Sequence, residues 1–259
     1  MRNIQGIVCL AALACAASLF AADSPFAGTW KLNQAKSKFT GTITTYEQKP
    51  SGAFAYSSGS VQYEFKIDGK EGPGPFGYTV TWKKVNDSTW ETVTKLKGSV
   101  IGSDRIELSK DGRNMTVTST GKKPNGEPFK EVAVLQRTAG GPGLAGTWKS
   151  AKVNIAAPDI MEIKASGSNG LEVSWPAWKA GYKAQFDGKD CTVTGPTVSA
   201  GFTVALKPAG PRTLEVVEKH AGKTISLGAM KVSPDGKTLT MESWPPGMKQ
   251  ETTVAVYEK

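Results

Sequence analysis

The sequence predicts an all-β protein made of two tandem antiparallel up-and-down barrels, each with about eight or nine strands of ordinary length. Three observations carry this expectation. Apolar residues alternate with polar ones instead of recurring at helical spacing. Asp-Gly pairs stand between the alternating runs. A set of short words occurs twice, in the same order.

The first 22 residues carry Arg2 as their only charge, followed by an apolar run from Ile7 to Phe20 and the small residues Ala21 and Ala22. About 14 apolar residues fall short of the roughly 20 that span a bilayer as a helix. Residues 1–22 therefore read as a secretory signal peptide, and the mature chain is expected to be periplasmic or secreted, with no integral membrane span. Cys9 and Cys15 leave with this segment, so Cys191 has no intramolecular disulfide partner and reads as a small buried hydrophobe.

The repeat pairs Gly28-Thr29-Trp30 with Gly146-Thr147-Trp148, and "YEFKIDGK" from Tyr63 with "YKAQFDGK" from Tyr182. It continues through "STWETVTKLKG" from Ser88 with "RTLEVVEKHAG" from Arg212, and "KDGRNMTV" from Lys110 with "PDGKTLTM" from Pro234. It ends with "VAVLQR" from Val132 and "VAVYEK" from Val254. Isolated words recur by chance, but five collinear ones mark two copies of one fold. The expected domains are 23–138 and 144–259, joined by a flexible Gly/Pro linker at 139–143.

Within the first copy Val61, Tyr63, Phe65 and Ile67 alternate with Gln62, Glu64 and Lys66, as do Tyr78, Val80 and Trp82 with Thr79, Thr81 and Lys83. The second copy repeats the pattern at Leu171, Val173 and Trp175, then at Leu214 and Val216. Such strands bury one face. Asp68-Gly69, Asp111-Gly112, Asp187-Gly188 and Asp235-Gly236 supply the positive φ expected of two-residue hairpins. Closing the sheet into a barrel removes its exposed edges.

Lys and Arg number 32 against 23 Asp and Glu, a net charge of +9. The excess is dispersed, whereas nucleic-acid binders concentrate it into patches. No nucleic-acid partner is expected, and the basic surface suits weak contact with anionic envelope polymers. "GPGPFG", from Gly72, has the spacing of a dinucleotide loop, but its prolines delete backbone donors and a strand follows, so it reads as a stiff loop. His220 is the only histidine and aligns with Leu96, which leaves no expectation of a metal, a cofactor or a histidine-based mechanism. Glu91 and Glu215 each follow an inward apolar residue and point to solvent. The remaining candidates are aromatic: Tyr63, Phe65, Tyr78 and Trp82 in the first copy, and Trp175, Trp178, Tyr182 and Phe202 in the second. They line a ligand pocket or fill the barrels.

The Gly-x-Trp of an opening strand, with "YKAQFDGKDCTVTG", "RTLEVVEKHAGK", "VSPDGKTLTM" and "VAVYEK", resembles bacterial exported lipocalin-like proteins of the calycin type. The resemblance implies an up-and-down barrel that binds a small apolar or amphiphilic ligand without catalysis. It also implies that Trp30 and Trp148, each preceded by a glycine (Gly28, Gly146), plug the closed barrel ends, and that Arg137 and Lys259 are the late-strand basic residues lying across them. Two other functions fit the sequence: a hydrolase or isomerase using carboxylates at a barrel mouth, and an envelope interaction module with filled barrels.

Overall fold

The computed structural model describes residues 24–155 and 159–259; the expected signal peptide lies outside them. The first repeat supplies β1 (Gly28–Leu32), β2 (Ile43–Gln48), β3 (Phe54–Ser58), β4 (Val61–Phe65) and β5 (Glu71–Pro73). It continues with β6 (Thr79–Asn86), β7 (Thr89–Leu96), β8 (Ser99–Leu108), β9 (Asn114–Lys122) and β10 (Pro128–Ala139). The second supplies β11 (Gly146–Asn154), β12 (Ile160–Ala165), β13 (Gly170–Trp175), β14 (Ala180–Gln185) and β15 (Cys191–Thr192). Its last five are β16 (Phe202–Gly210), β17 (Thr213–His220), β18 (Lys223–Val232), β19 (Thr238–Trp244) and β20 (Thr253–Glu258). The only described helices are single 3₁₀ turns, and no described helix is long and apolar enough to cross a membrane.

These strands form two nearly closed antiparallel barrels of ten strands. The expected eight or nine omitted β5 and β15, which span three and two residues and are too short to show alternation. Around the first barrel the order is β4-β3-β2-β11-β10-β9-β8-β7-β6-β5; around the second it is β14-β13-β12-β1-β20-β19-β18-β17-β16-β15. The repeats have exchanged their opening strands. β11, which begins the second repeat, completes the first barrel, and β1 completes the second.

The two exchanged strands occupy equivalent slots in the same register. Trp148 pairs with Thr44 and Lys149 with Gln136, while Trp30 pairs with Met161 and Lys31 with Glu258. The barrels therefore consist of residues 43–154 and of 28–32 with 160–259, a partition different from the expected 23–138 and 144–259. The residues between Ala139 and Gly146 explain the difference. They are short enough to turn β10 directly into β11 as a hairpin, and the chain crosses between barrels after β1 and after β11 instead.

The segment read as a flexible linker is correspondingly pinned. Arg137 donates from Nη1 to the carbonyls of Gly141 (2.6 Å) and Ala145 (2.7 Å), and from Nη2 to Gly143 (2.6 Å). Its Nε reaches Gly112 across the barrel end (2.8 Å). The guanidinium also lies 4.0 Å from the centre of the Trp148 ring, and Lys259 Nζ lies 4.6 Å from that of Trp30. Both tryptophans are fully buried, and their Nε1 atoms donate to the carbonyls of Leu144 and Phe26. Each basic residue thus covers the tryptophan of the other repeat. The preceding glycine makes room for it: a Cβ on Gly28 would stand 2.6 Å from Lys259 Cε, and one on Gly146 would stand 2.7 Å from Arg137 Nη1.

The Asp-Gly turns are wider than expected. In the Asp111 turn Ser109 N bonds Asn114 O and Gly112 N bonds Ser109 O, so four residues form the loop and only the glycine has positive φ (68°). Asp68-Gly69 and Asp187-Gly188 are not hairpin turns. They stand at the barrel seams, where Gly69 N reaches Trp82 O and Gly188 N reaches Leu206 O. The second seam is narrowed by an isolated bridge between Gly181 and Thr194.

In an up-and-down barrel alternate turns share one end. The turns remote from the motif tryptophans, here called the mouths, face each other across the two barrels. Ser60 Oγ donates to Ile225 O, Asn125 N to Ala177 O, and Ile43 N to the buried Glu251 carboxylate. Buried Lys123 pairs with Asp159 at 3.6 Å, and the Phe129 ring lies 5.5 Å from that of Trp178. Barrel mouths are where backbone hydrogen bonding ends and loops diverge, so each barrel shields the other's least protected end.

Candidate functional site

The stiff loop of the first barrel reaches into the mouth of the second. Gly74 starts it and Pro75 fixes its first turn; Phe76 then adopts φ 56°, a left-handed conformation strained for an aromatic residue. The strain directs the Phe76 ring onto Phe202 (5.3 Å) and His220 (4.9 Å), which contact each other at 4.8 Å. Next to it the Tyr78 hydroxyl donates to Thr197 O at 2.9 Å and accepts from Ser199 N at 3.3 Å, while Ser199 Oγ donates to Phe76 O at 2.6 Å. His220 thus serves as an aromatic wall in this contact, and its buried Nε2 has no hydrogen-bond partner among the described residues.

Beneath this lid lies a cavity of about 240 Å³ bordered by Tyr78, Trp175, Tyr182, Phe202, Val204 and Glu218. Strand alternation builds it. On β17 Leu214 is buried in the core, Val216 packs against it, and Glu218 comes next on the same face, where the core gives way to the mouth. Trp175 ends β13 and Tyr182 lies on adjacent β14, which sets their rings 5.9 Å apart at 60°. Glu218 is exposed at this mouth, and its side chain forms part of the cavity wall. Desolvation by the surrounding protein raises its pKa, an effect partly offset by a hydrogen bond from Ser226, its cross-strand partner on β18. Burial also raises the Tyr182 pKa, and the charge of Glu218 adds to the shift. Glu218 takes part in none of the ion pairs found among the described residues.

The first barrel has a smaller cavity of about 170 Å³ at its mouth, bordered by Tyr56, Tyr63, Tyr78, Trp82 and Asp104. Tyr78 therefore stands between the two cavities. Here the acid is engaged: Thr92 Oγ1 donates to Asp104 Oδ2 at 2.9 Å. Trp82 Nε1 donates to the Tyr63 hydroxyl, and the Trp82 ring stacks on Phe65 at 4.0 Å. Burial raises the pKa of Tyr46 and Tyr56 in the same aromatic cluster.

Of the aromatic candidates, Trp175, Tyr182, Phe202 and Tyr78 come together around one cavity. Phe65 and Trp82 are core residues, with Tyr63 packed against them. Trp178 stands apart, in a 3₁₀ turn against Phe129 of the other barrel, and its buried Nε1 has no partner among the described residues. Glu91 pairs with Arg105 on the outer surface at 2.8 Å, and Glu215 is exposed. Cys191 donates to Val204 O, and burial raises its pKa. No group of three or more potential metal ligands occurs among the described residues. Sequence reasoning missed Glu218 and Asp104. The alternation that sends Glu215 outward, carried three residues further, would have brought Glu218 inward. Comparison with protein-family models, curated proteins and solved structures returns no match to the chain.

Proposed function

We propose that this is an exported lipocalin-like binding protein that holds a small amphiphilic molecule in the mouth of its second barrel and performs no chemistry on it. The observation that carries this reading is the cavity of about 240 Å³ walled by Trp175, Tyr182 and Phe202 and supplied with one carboxylate, Glu218. Apolar walls with few polar groups are the usual makeup of a ligand site. At about 30 Å³ per water the space equals roughly eight water molecules, which suits a ligand of about ten non-hydrogen atoms and excludes long-chain lipids in this conformation. Asp104 and Glu218 border separate cavities, an arrangement that favours binding over two-carboxylate hydrolysis.

Titration of the full chain with 2-phenylethanol, followed by tryptophan emission and thermal shift, tests the proposal. A ligand of nine non-hydrogen atoms at about 0.5 kcal/mol per atom gives a Kd of about 0.1 to 1 mM. Saturable binding that Trp175→Ala weakens at least tenfold is expected. Binding unaffected by Trp175→Ala, or no binding by any small aromatic or alkyl compound, would overturn it.

A further inference from the structure

We infer that the molecule held in the second barrel carries a protonated amine, placed against Glu218 and among the rings of Trp175, Tyr182 and Phe202. This inference rests on the ligand-binding reading above. It starts from a carboxylate in an aromatic cavity with no cation beside it. The mature surface is rich in lysine, and ion pairs elsewhere consume nearby carboxylates, such as Glu172 with Lys183 and Asp190 with Lys219 on the same barrel. Glu218 has only the Ser226 hydroxyl. Glu172 and Asp190 have lysine partners, whereas Glu218, which lines the cavity, is in no ion pair among the described residues.

Glu218 stands at the cavity wall with no basic side chain paired to it, so its charge is open to an incoming cation. The rings around it act in the same direction. The face of a Trp or Tyr ring is the negative end of its quadrupole, so aromatic walls attract a cation and repel an anion. Desolvation acts on Glu218 in the direction that an ammonium would reverse. The size of the cavity limits the rest of the ligand to a short alkyl or single-ring group. A primary or methylated arylalkylamine satisfies all of these features, whereas a carboxylate or phosphate of the same size would be repelled by both Glu218 and the ring faces.

The test compares 2-phenylethylamine with 2-phenylethanol, which have equal numbers of non-hydrogen atoms and differ in charge at pH 7. Isothermal titration of the full chain should give at least tenfold tighter binding for the amine. Glu218→Gln should reduce the amine to the affinity of the alcohol, and Glu215→Gln, on the outer face of the same strand, should change neither. In the unaltered chain, nuclear Overhauser contacts from the methylene beside the ammonium should reach the Tyr182 ring and the Glu218 side chain, a readout that survives if Glu218→Gln fails to fold. Equal affinity for amine and alcohol would overturn the amine inference and leave the binding proposal standing. An amine preference that persists in Glu218→Gln would place the amine elsewhere and also overturn it. Failure of both compounds to bind would overturn both.

Discussion

Replacing Trp30 by alanine should destabilise the barrel built mainly from the other repeat. The indole is fully buried, its Nε1 bonds Phe26 O at 2.8 Å, and Lys259 lies 4.6 Å from the ring centre. Truncation of a large buried aromatic costs about 3 to 5 kcal/mol. The orphaned carbonyl adds about 1 kcal/mol, so the expected loss is about 4 to 6 kcal/mol. That is a large share of the roughly 5 to 15 kcal/mol that stabilises an ordinary domain. Hydrogen exchange with mass spectrometry locates the damage, because local opening reports on separate cooperative units. At about 1.4 kcal/mol per decade, amides of β12 and β20, the strands flanking β1, should exchange about a thousandfold faster or more. Those of β2 and β10 should stay near their original rates. Acceleration in β2 and β10 instead, or a total loss under about 1 kcal/mol, would refute the exchanged arrangement around Trp30.

Two further outcomes follow from the same geometry. Residues 43–154 hold all ten strands of the first barrel in one continuous piece and should melt cooperatively alone by circular dichroism, whereas 159–259 should fold only when a peptide spanning 24–38 is added; folding of 159–259 unaided would count against the role given to β1. Glu218→Gln should stabilise the free protein at neutral pH. The folded-state pKa of Glu218 is raised, so the folded form binds more protons between the unfolded value, about 4.3, and the raised one, and the native carboxylate lowers stability as pH climbs through that window. The gain from glutamine should thus be full above the raised pKa and vanish below about pH 4. Tyr182 on β14, Cys191 on β15, Tyr78 in the lid and His220 on β17 are the other titratable groups near this cavity, and Tyr182 and Cys191, with pKa values raised by burial, stay neutral throughout. A constant gain from pH 4 to 8 in urea unfolding would contradict the assignment.

Much of the architecture was legible because it depends on local rules. Alternation located β4, β6, β13 and β17, and the doubled Gly-Thr-Trp marked two equivalent strands. The same doubling concealed which barrel each strand completes. Trp30 and Trp148 meet identical registers, so no residue within either word distinguishes its own barrel from its neighbour's. The decision lies in connection length, in the few residues between Ala139 and Gly146, and in the carbonyls that Arg137 collects there. The candidate site was partly legible for a similar reason. Trp175 follows from the period-two pattern of its strand, and Tyr182 and Phe202 from the gathering of aromatic residues in the second repeat. The lid formed by Phe76 and Tyr78 comes from the other repeat, and only the mouth-to-mouth packing brings it across. Trp178 carries the same aromatic signature as Trp175 but follows Pro176 in a 3₁₀ turn, which takes it out of the strand pattern and onto Phe129.

The exchange of opening strands is tested most directly by cysteine pairs. Thr45 and Thr147 face each other across β2 and β11, with their hydroxyls 3.4 Å apart. In a Cys191→Ala background, Thr45→Cys with Thr147→Cys should form a disulfide on mild oxidation, since cross-strand neighbours lie within the Cα spacing a disulfide needs. Thr29→Cys with Thr45→Cys should not, because β1 pairs with β12 and β20 rather than β2. Proteolytic mapping of the oxidised chains distinguishes the two. Ready formation of the 29–45 disulfide, with none between 45 and 147, would show that each repeat keeps its own first strand and would contradict the account.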